Sequence, residues 1–154
     1  MIFRSLTQVE TEAALELAWN VFLEYEAPDY SHEGVDEFFK SIHDPEFVRK
    51  LTFYGAFDGE ELVGVLATRS KGDHVALYFV TGRMQGQGIG RTLFELALKN
   101  NTSGKMTVNS SPYAVEIYRH FGFVNTDVEQ VTNGIRYTPM EIMIRDSNCG
   151  DKRR

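Results

Sequence analysis

Four glycines, Gly82, Gly86, Gly88 and Gly90, fall between two apolar runs of different periodicity. Ahead of them, His74–Val80 reads HVALYFV, a β-branched and aromatic run with the signature of a buried strand. Behind them, Ile89, Leu93, Leu96 and Ala97 recur at the spacing of one helix face. Strand, glycine loop, helix is the local order, and that order builds an anion cradle. The first N–H groups of a helix have no partner inside it, and the aligned peptide dipoles leave positive charge there. Glycine removes the Cβ atoms that would hold a phosphate away from those amides. A plain glycine-rich turn is the simpler alternative for so short a stretch.

The spacing narrows the ligand. A P-loop needs G-x-x-x-x-G-K-[ST], but position 87, five after Gly82, is Gln, and no Lys follows. A dinucleotide fingerprint needs G-x-G-x-x-G, but Gly86 and Gly88 are followed by Arg91, and Gly88 and Gly90 by Leu93. What remains is Gln85-Gly86-Gln87-Gly88-Ile89-Gly90, or Q-x-x-G-x-G. This resembles the acetyl-CoA loop of the GNAT N-acetyltransferase superfamily, [RQ]-x-x-G-x-[GA], whose amides hold the pyrophosphate of coenzyme A.

A second stretch carries the same resemblance. Ser111-Pro112-Tyr113-Ala114-Val115-Glu116-Ile117-Tyr118-Arg119-His120-Phe121-Gly122-Phe123 is similar to the GNAT signature N-x-x-A-x-x-x-Y-x-x-x-G-F. Ala114, Tyr118, Gly122 and Phe123 match in register, and Ser111 stands where Asn is frequent. Both side chains can cap a helix. Asn109, two residues earlier, is a candidate to supply the missing amide.

Around these motifs the pattern predicts a short first strand over Met1–Leu6 and a capping box at Thr7 and Glu10. The helix that follows buries Ala14, Leu17, Ala18, Val21 and Phe22 and stops before Pro28. Ser31 opens a second helix with Val35, Phe38, Phe39 and Ile42 on one face, and Asp44-Pro45 starts a helical turn. Leu51–Phe57 and Glu61–Arg69 flank an Asp58-Gly59 hairpin turn, and His74–Val80 completes an antiparallel meander. After the glycine-loop helix, Lys105–Asn109 is a strand, parallel to His74–Val80 because a helix joins them. Ser111-Pro112 caps another helix, and strands over Phe123–Val131 and Ile135–Ile144 flank Asn133-Gly134. One domain is expected over residues 1–145, with a mobile tail over 146–154.

Composition bounds the function. The chain of 154 residues suits a single domain with a sizeable core. No apolar run approaches the ~20 residues that span a bilayer, and the N-terminus lacks a signal-peptide pattern. The single cysteine, Cys149, excludes an internal disulfide and a cysteine zinc cluster, and fits a reducing cytoplasm. No histidine has metal-ligand spacing, so no metal is expected. A net charge of −6 argues against nucleic acid as partner and favours a cationic substrate. Glu24, Glu26, Asp29, Glu33, Asp36 and Glu37, with Tyr25 and Tyr30 among them, carry no Lys or Arg between them. They form either an anionic, aromatic pocket for an amine or a solvated loop.

The resemblance implies an α+β fold, an α/β/α sandwich on a mostly antiparallel sheet of six to seven strands with about four helices. Its fourth and fifth strands are parallel and splayed. It implies acetyl transfer from acetyl-CoA to a primary amine, with a small cationic acceptor favoured. Protein Lys or N-terminal acetylation, and a non-catalytic acyl-CoA-binding module, are the alternatives. It further implies that Phe79 and Val80 face the thioester, and that Gln85, Gly86, Gln87, Gly88, Ile89 and Gly90 hold the diphosphate. Arg83 and Arg91 are candidates to neutralise phosphates, and Ser111 to contact the cofactor. The resemblance makes Tyr118 the acid that protonates the leaving thiolate, and Tyr25, Glu26, Asp29, Tyr30 and Asn109 the acceptor site. The base is left among His74, Asp73 and ordered water. A homodimer is compatible with the resemblance, although no stretch marks an interface.

Overall fold

The computed structural model describes residues 1–144, so the tail expected over 146–154 lies outside the described residues. Eight strands form one sheet: β1 Ile2–Ser5, β2 Thr52–Asp58, β3 Glu61–Arg69, β4 His74–Val80, β5 Lys105–Ser110, β6 Val124–Asn125, β7 Gln130–Thr132 and β8 Ile135–Met143. Their spatial order is β1-β2-β3-β4-β5-β8-β6, with β7 also on β8. Every neighbouring pair is antiparallel except β4 with β5. Five α-helices cover the sheet: α1 Thr11–Tyr25, α2 His32–Ile42, α3 Pro45–Arg49, α4 Ile89–Lys99 and α5 Val115–Phe121. The mixed α/β fold expected from the resemblance is the one observed.

Two apolar clusters, one on each face of the sheet, hold the layers together. On one face, Ala14, Leu17, Ala18, Val21 and Phe22 of α1 pack on Val65, Ala67, Leu77 and Phe79. On the other, Leu93, Phe94 and Ala97 of α4 and Tyr118 of α5 pack on Val63, Leu66, Met106 and Val108. Burial of several such side chains, each worth about 1.5–3 kcal/mol, fixes both helix layers against the strands. Phe39, expected on the inner face of α2, is instead 44% exposed and sets its ring against the edge of Trp19. Phe38 takes the inward place and stacks on Phe22 at 4.1 Å.

The strand expected over Phe123–Val131 is broken. Val124–Asn125 and Gln130–Thr132 each pair with β8, and between them Asp127 takes over the hydrogen bonding. Its carboxylate accepts from the Val128 amide (2.7 Å) and from Gln130 Nε2 (3.0 Å), a local side-chain alternative to the ladder. That break raises the strand count to eight.

One feature of the sheet positions the site. β4 and β5 are in register only at His74–Thr107 and Val75–Val108. Beyond that point β4 stays on β3 as far as Val80, while β5 stays on β8 as far as Ser110. Each strand follows its antiparallel neighbour, the two part, and the centre of the sheet opens into a wedge.

Candidate active site at the sheet opening

Two cavities meet at this opening. The larger, about 470 Å³, lies between the glycine loop, α4 and α5. The smaller, about 250 Å³, runs beneath α2 along β4 and beside Ile135 of β8. Glu26, Tyr78 and Ala114 line both.

The wall of the larger cavity is mostly main chain. A 3-10 turn over Gly82–Met84 ends at Gln85, and Gly88 then stands before α4 in the left-handed region with φ 82°. Gly86 adopts φ 79°. A Cβ added at Gly86 or Gly88 would meet no protein atom within 4 Å, so open space faces both backbones. The Thr92 amide reaches the Gly88 carbonyl (3.1 Å), but the amides from Gly86 to Arg91 have no backbone acceptor among the described residues. Gly88 offers no side-chain cap. These donors, at the positive end of an eleven-residue helix, are what a diphosphate requires. The residues present therefore fit coenzyme A.

Neighbouring side chains shape the loop. Gln85 donates to the Val80 carbonyl (3.0 Å) and accepts from the Tyr113 hydroxyl (2.9 Å), tying the loop to the end of β4. A Cβ at Gly90 would overlap the Tyr78 hydroxyl, so that glycine is required by close approach of a side chain. Val80, Gln85, Gly86, Gly88, Ile89, Gly90 and Arg91 all line this cavity. Gln87 and Arg83 do not. Gln87 donates to the Arg83 carbonyl (3.3 Å), and Arg83 turns away to an ion pair with Glu61 (2.5 Å). Arg91 stays at the cavity, donating to the His120 carbonyl (2.9 Å) with its guanidinium over the Phe121 ring.

The smaller cavity is walled by side chains from distant parts of the chain. Phe79, Ser111 and Tyr118 line this side rather than the loop side, together with Glu26, Tyr30, His74 and Asn109. Of the six acids between residues 24 and 37, only Glu26 reaches it. Asp29 instead gives its carbonyl to Arg136 (3.2 Å), and Tyr25 packs its ring on Tyr113 with its hydroxyl against Gly82. The expected anionic pocket is thus a single carboxyl group among aromatic rings. Glu24, Asp29, Glu33 and Asp36 are exposed and Glu37 is half-buried outside the cavity lining.

Glu26 sits where α1 ends and a 3-10 turn over Ala27–Asp29 begins. Burial raises its carboxyl to about 7, the nearby Ser111 side chain opposes part of that rise, and the charge of Asp29 adds to it. What surface Glu26 retains faces the cavities. The Ser111 hydroxyl is buried without a hydrogen-bond partner of good geometry, and it does not cap the following turn over Pro112–Ala114. The capping role expected of Ser111 is therefore not seen; its side chain points into the site.

Tyr118 is 5% exposed, and its phenol is pushed well above 10 by burial, then by Tyr78 and Glu26. Its ring meets the Tyr78 ring edge-on at 5.8 Å. Burial, with a smaller contribution from Tyr113, pushes Tyr78 up to about 12. His74 lies at the other end of β4. Burial, then the charge of Arg69, lowers it to about 4, and its Nδ1 lies 2.7 Å from Thr107 Oγ1. Four residues of strand, about 13 Å, separate His74 from Tyr78 at the junction, so His74 is remote from the opening. The sequence pattern marks neither Tyr78 nor Arg69: Tyr78 lies inside an apolar strand, and Arg69 ends a strand at a turn.

The family and the fold have known relatives. Residues 26–144 match the family described as Acetyltransferase (GNAT) domain. The chain belongs to the GNAT acetyltransferase family. Among curated proteins, none matches this chain by sequence. Several solved GNAT structures share the fold. A GCN5-related N-acetyltransferase from Rhodopseudomonas palustris superposes with a TM-score of 0.77 at 19% identity, covering 93% of this chain and 95% of its own. PaiA N-acetyltransferase from Thermoplasma acidophilum, solved with coenzyme A, gives 0.70 at 19% identity, with 92% and 98% covered. Spermidine N-acetyltransferase from Vibrio cholerae, solved with CoA and spermine, gives 0.60 at 18% identity, with 92% and 94% covered. Among the described residues of this GNAT chain, no group of three or more His, Cys, Asp or Glu side chains is placed to hold a metal, and no helix is long and apolar enough to cross a membrane.

Proposed function

We propose that this GNAT protein transfers an acetyl group from acetyl-CoA to the primary amine of a small molecule. The observation that carries the reading is the meeting of the two cavities at Glu26, Tyr78 and Ala114. One cavity has the unpaired amides a diphosphate needs, the other has a carboxyl group suited to an amine, and they join where the strands part. The coenzyme A complexes of the Thermoplasma and Vibrio neighbours support the assignment of the larger cavity to the nucleotide.

Acetyl-CoA supplies an activated thioester. The chain's own groups supply the rest. An acceptor amine arrives as an ammonium, with a pKa near ~10 in water, and attacks only once neutral. Glu26, at about 7, takes that proton from nitrogen: it is ionised in a useful fraction at neutral pH and basic enough to receive it. This assigns the base to Glu26 in place of His74, whose ring, near 4 and four residues back along β4, is a poor proton acceptor in the wrong place. Amides on the open edge of β4 near Phe79 and Val80 face the charge that develops on the thioester oxygen. Tyr118 keeps its proton at every physiological pH, so it has one to give to the departing sulfur. The nitrogen sheds its second proton as the amide forms, and that proton returns to the Tyr118 oxygen; free thiol and N-acetylated amine leave, and Glu26 gives the first proton to solvent.

The decisive test measures thiol release from acetyl-CoA across a panel of small amines, alongside acetyl-CoA binding by calorimetry. Amine-dependent thiol release is expected. Tight binding with no release for any amine would instead favour the non-catalytic acyl-CoA module.

A further inference from the structure

The smaller cavity has opposite charges at its two ends. At the junction stands Glu26. At the far end, beside His74, stands Arg69, the last residue of β3 and the direct cross-strand partner of His74. Glu26, Arg69 and His74 are its only titratable acid or base side chains other than tyrosine, and His74 is held uncharged by burial. Arg69 differs from the other arginines among the described residues. Arg4, Arg49, Arg83, Arg119 and Arg136 each pair with a glutamate, and Arg91 donates to a carbonyl. Arg69 alone has neither an ion pair nor a hydrogen bond among the described residues.

We infer that the acceptor carries an anionic group remote from its amine, and that Arg69 binds that group while Glu26 receives the amine. The inference rests on the acetyltransferase reading and narrows its substrate class to zwitterionic amines. Guanidinium grips carboxylates and phosphates through a planar fork of donors, and an unpaired one at a cavity rim is a ready partner for either. The opposite assignment, a polyamine, would set a second ammonium against Arg69 with no carboxylate there to receive it. The span from His74 to Tyr78, about 13 Å by strand rise, calls for an extended acceptor rather than a compact one.

The test compares ω-amino carboxylates, ω-amino phosphonates and α,ω-diamines of matched length, on wild type, Arg69→Ala and Arg69→Glu proteins. KM for the anionic acceptors is expected to be about tenfold or more below that of the matched diamines, from one charge-assisted contact. Arg69→Ala removes that advantage through the acceptor KM, and Arg69→Glu inverts the preference. A carboxylate or a phosphonate optimum tells which anion is read. Calorimetric binding of the same acceptors to the coenzyme A complex gives a readout independent of turnover. Loss of anionic-acceptor binding in Arg69→Glu supports the inference even where no thiol is released, a result that would count against the acetyltransferase reading alone. Diamines preferred by wild type, or equal anion binding by wild type and Arg69→Glu, would overturn it.

Discussion

The two cavities at the sheet opening touch the same three residues but are built from different material. The loop side is main chain: unpaired amides, glycines with left-handed φ, and open space where side chains would stand. The proposed acceptor side is side chain: a buried carboxyl, a buried phenol, rings from α1 and α2, and a guanidinium at the far end. Main-chain donors are the same whatever the sequence around them, so a wall made of them suits a ligand part that never varies. Side chains can be exchanged one at a time, so the other wall is where one GNAT protein can differ from the next. The comparison also separates binding from chemistry. Substitutions on the loop side should act on the acetyl-CoA KM, and substitutions at the junction on kcat.

The largest effect is expected at the junction. Glu26→Gln keeps the shape and removes the proposed base, and kcat should fall about 10²-fold or more with little change in acetyl-CoA affinity. The pH profile sharpens the point. In the wild type, kcat/KM should rise as pH passes through about 7, where Glu26 loses its proton. In Glu26→Gln that limb should vanish. A limb that persists would return the proton to His74 or to water. Tyr118→Phe comes next and should lower kcat well over tenfold, again at constant acetyl-CoA affinity. Unchanged turnover would hand the acid role to Tyr78, a residue that lines both cavities.

Both walls show how far the chain can be read before its fold is known. The loop side is local: strand, glycines and helix follow one another over Tyr78–Leu93, so spacing alone marks Gly86, Gly88 and Gly90. The same locality makes the capping box at Thr7 and Glu10, the Asp58-Gly59 and Asn133-Gly134 hairpins and the buried face of α1 legible, and each stands as expected. The acceptor side draws Glu26, Arg69, His74, Asn109 and Tyr118 from five elements. Six acids between residues 24 and 37 look alike on paper, and only the end of α1 selects Glu26. Arg69 gains its meaning from the cavity that its strand end shares with Glu26 at the distant end of α1, and Arg83 loses the role suggested by its place beside the loop because Glu61 of β3 lies within reach. Pairing between distant segments carries no local signal.

Smaller effects test the loop wall. Gly88→Ala places a methyl group in open space at a φ that L-residues resist, with a backbone cost of about 1–2 kcal/mol. The acetyl-CoA KM should rise about tenfold, by that strain and by intrusion on the diphosphate, while the amine KM stays fixed. A shift in the amine KM instead would break the division between the walls. Arg91→Ala should weaken acetyl-CoA several-fold, and more so at low salt, since Arg91 lines the cavity. Arg83→Ala should change it little, because that guanidinium is engaged with Glu61. Calorimetric titration of the two single variants separates them, and equal losses would mean that Arg83 leaves Glu61 when the nucleotide binds.

The last difference between the walls is thermodynamic. A loop amide has the same charge at every pH, whereas Glu26 has a folded-state value near 7 against an ordinary 4.5. The folded protein therefore binds more protons than the unfolded chain between those values, and stability must fall as pH rises from about 4.5 to about 7. Below 4.5 the carboxyl is protonated in both states and costs nothing; above 7 its ionised form is buried and the full penalty is present. The penalty is at most about 3 kcal/mol, and access to the cavities reduces it. Glutamine is uncharged throughout, so Glu26→Gln should melt several degrees above wild type at pH 8 and close to it at pH 4.5. Paired thermal melts across that range decide the matter. A constant difference, or one that grows on acidification, would mean that Glu26 is not held against its own ionisation, and the base would then have to be sought elsewhere in the side-chain wall.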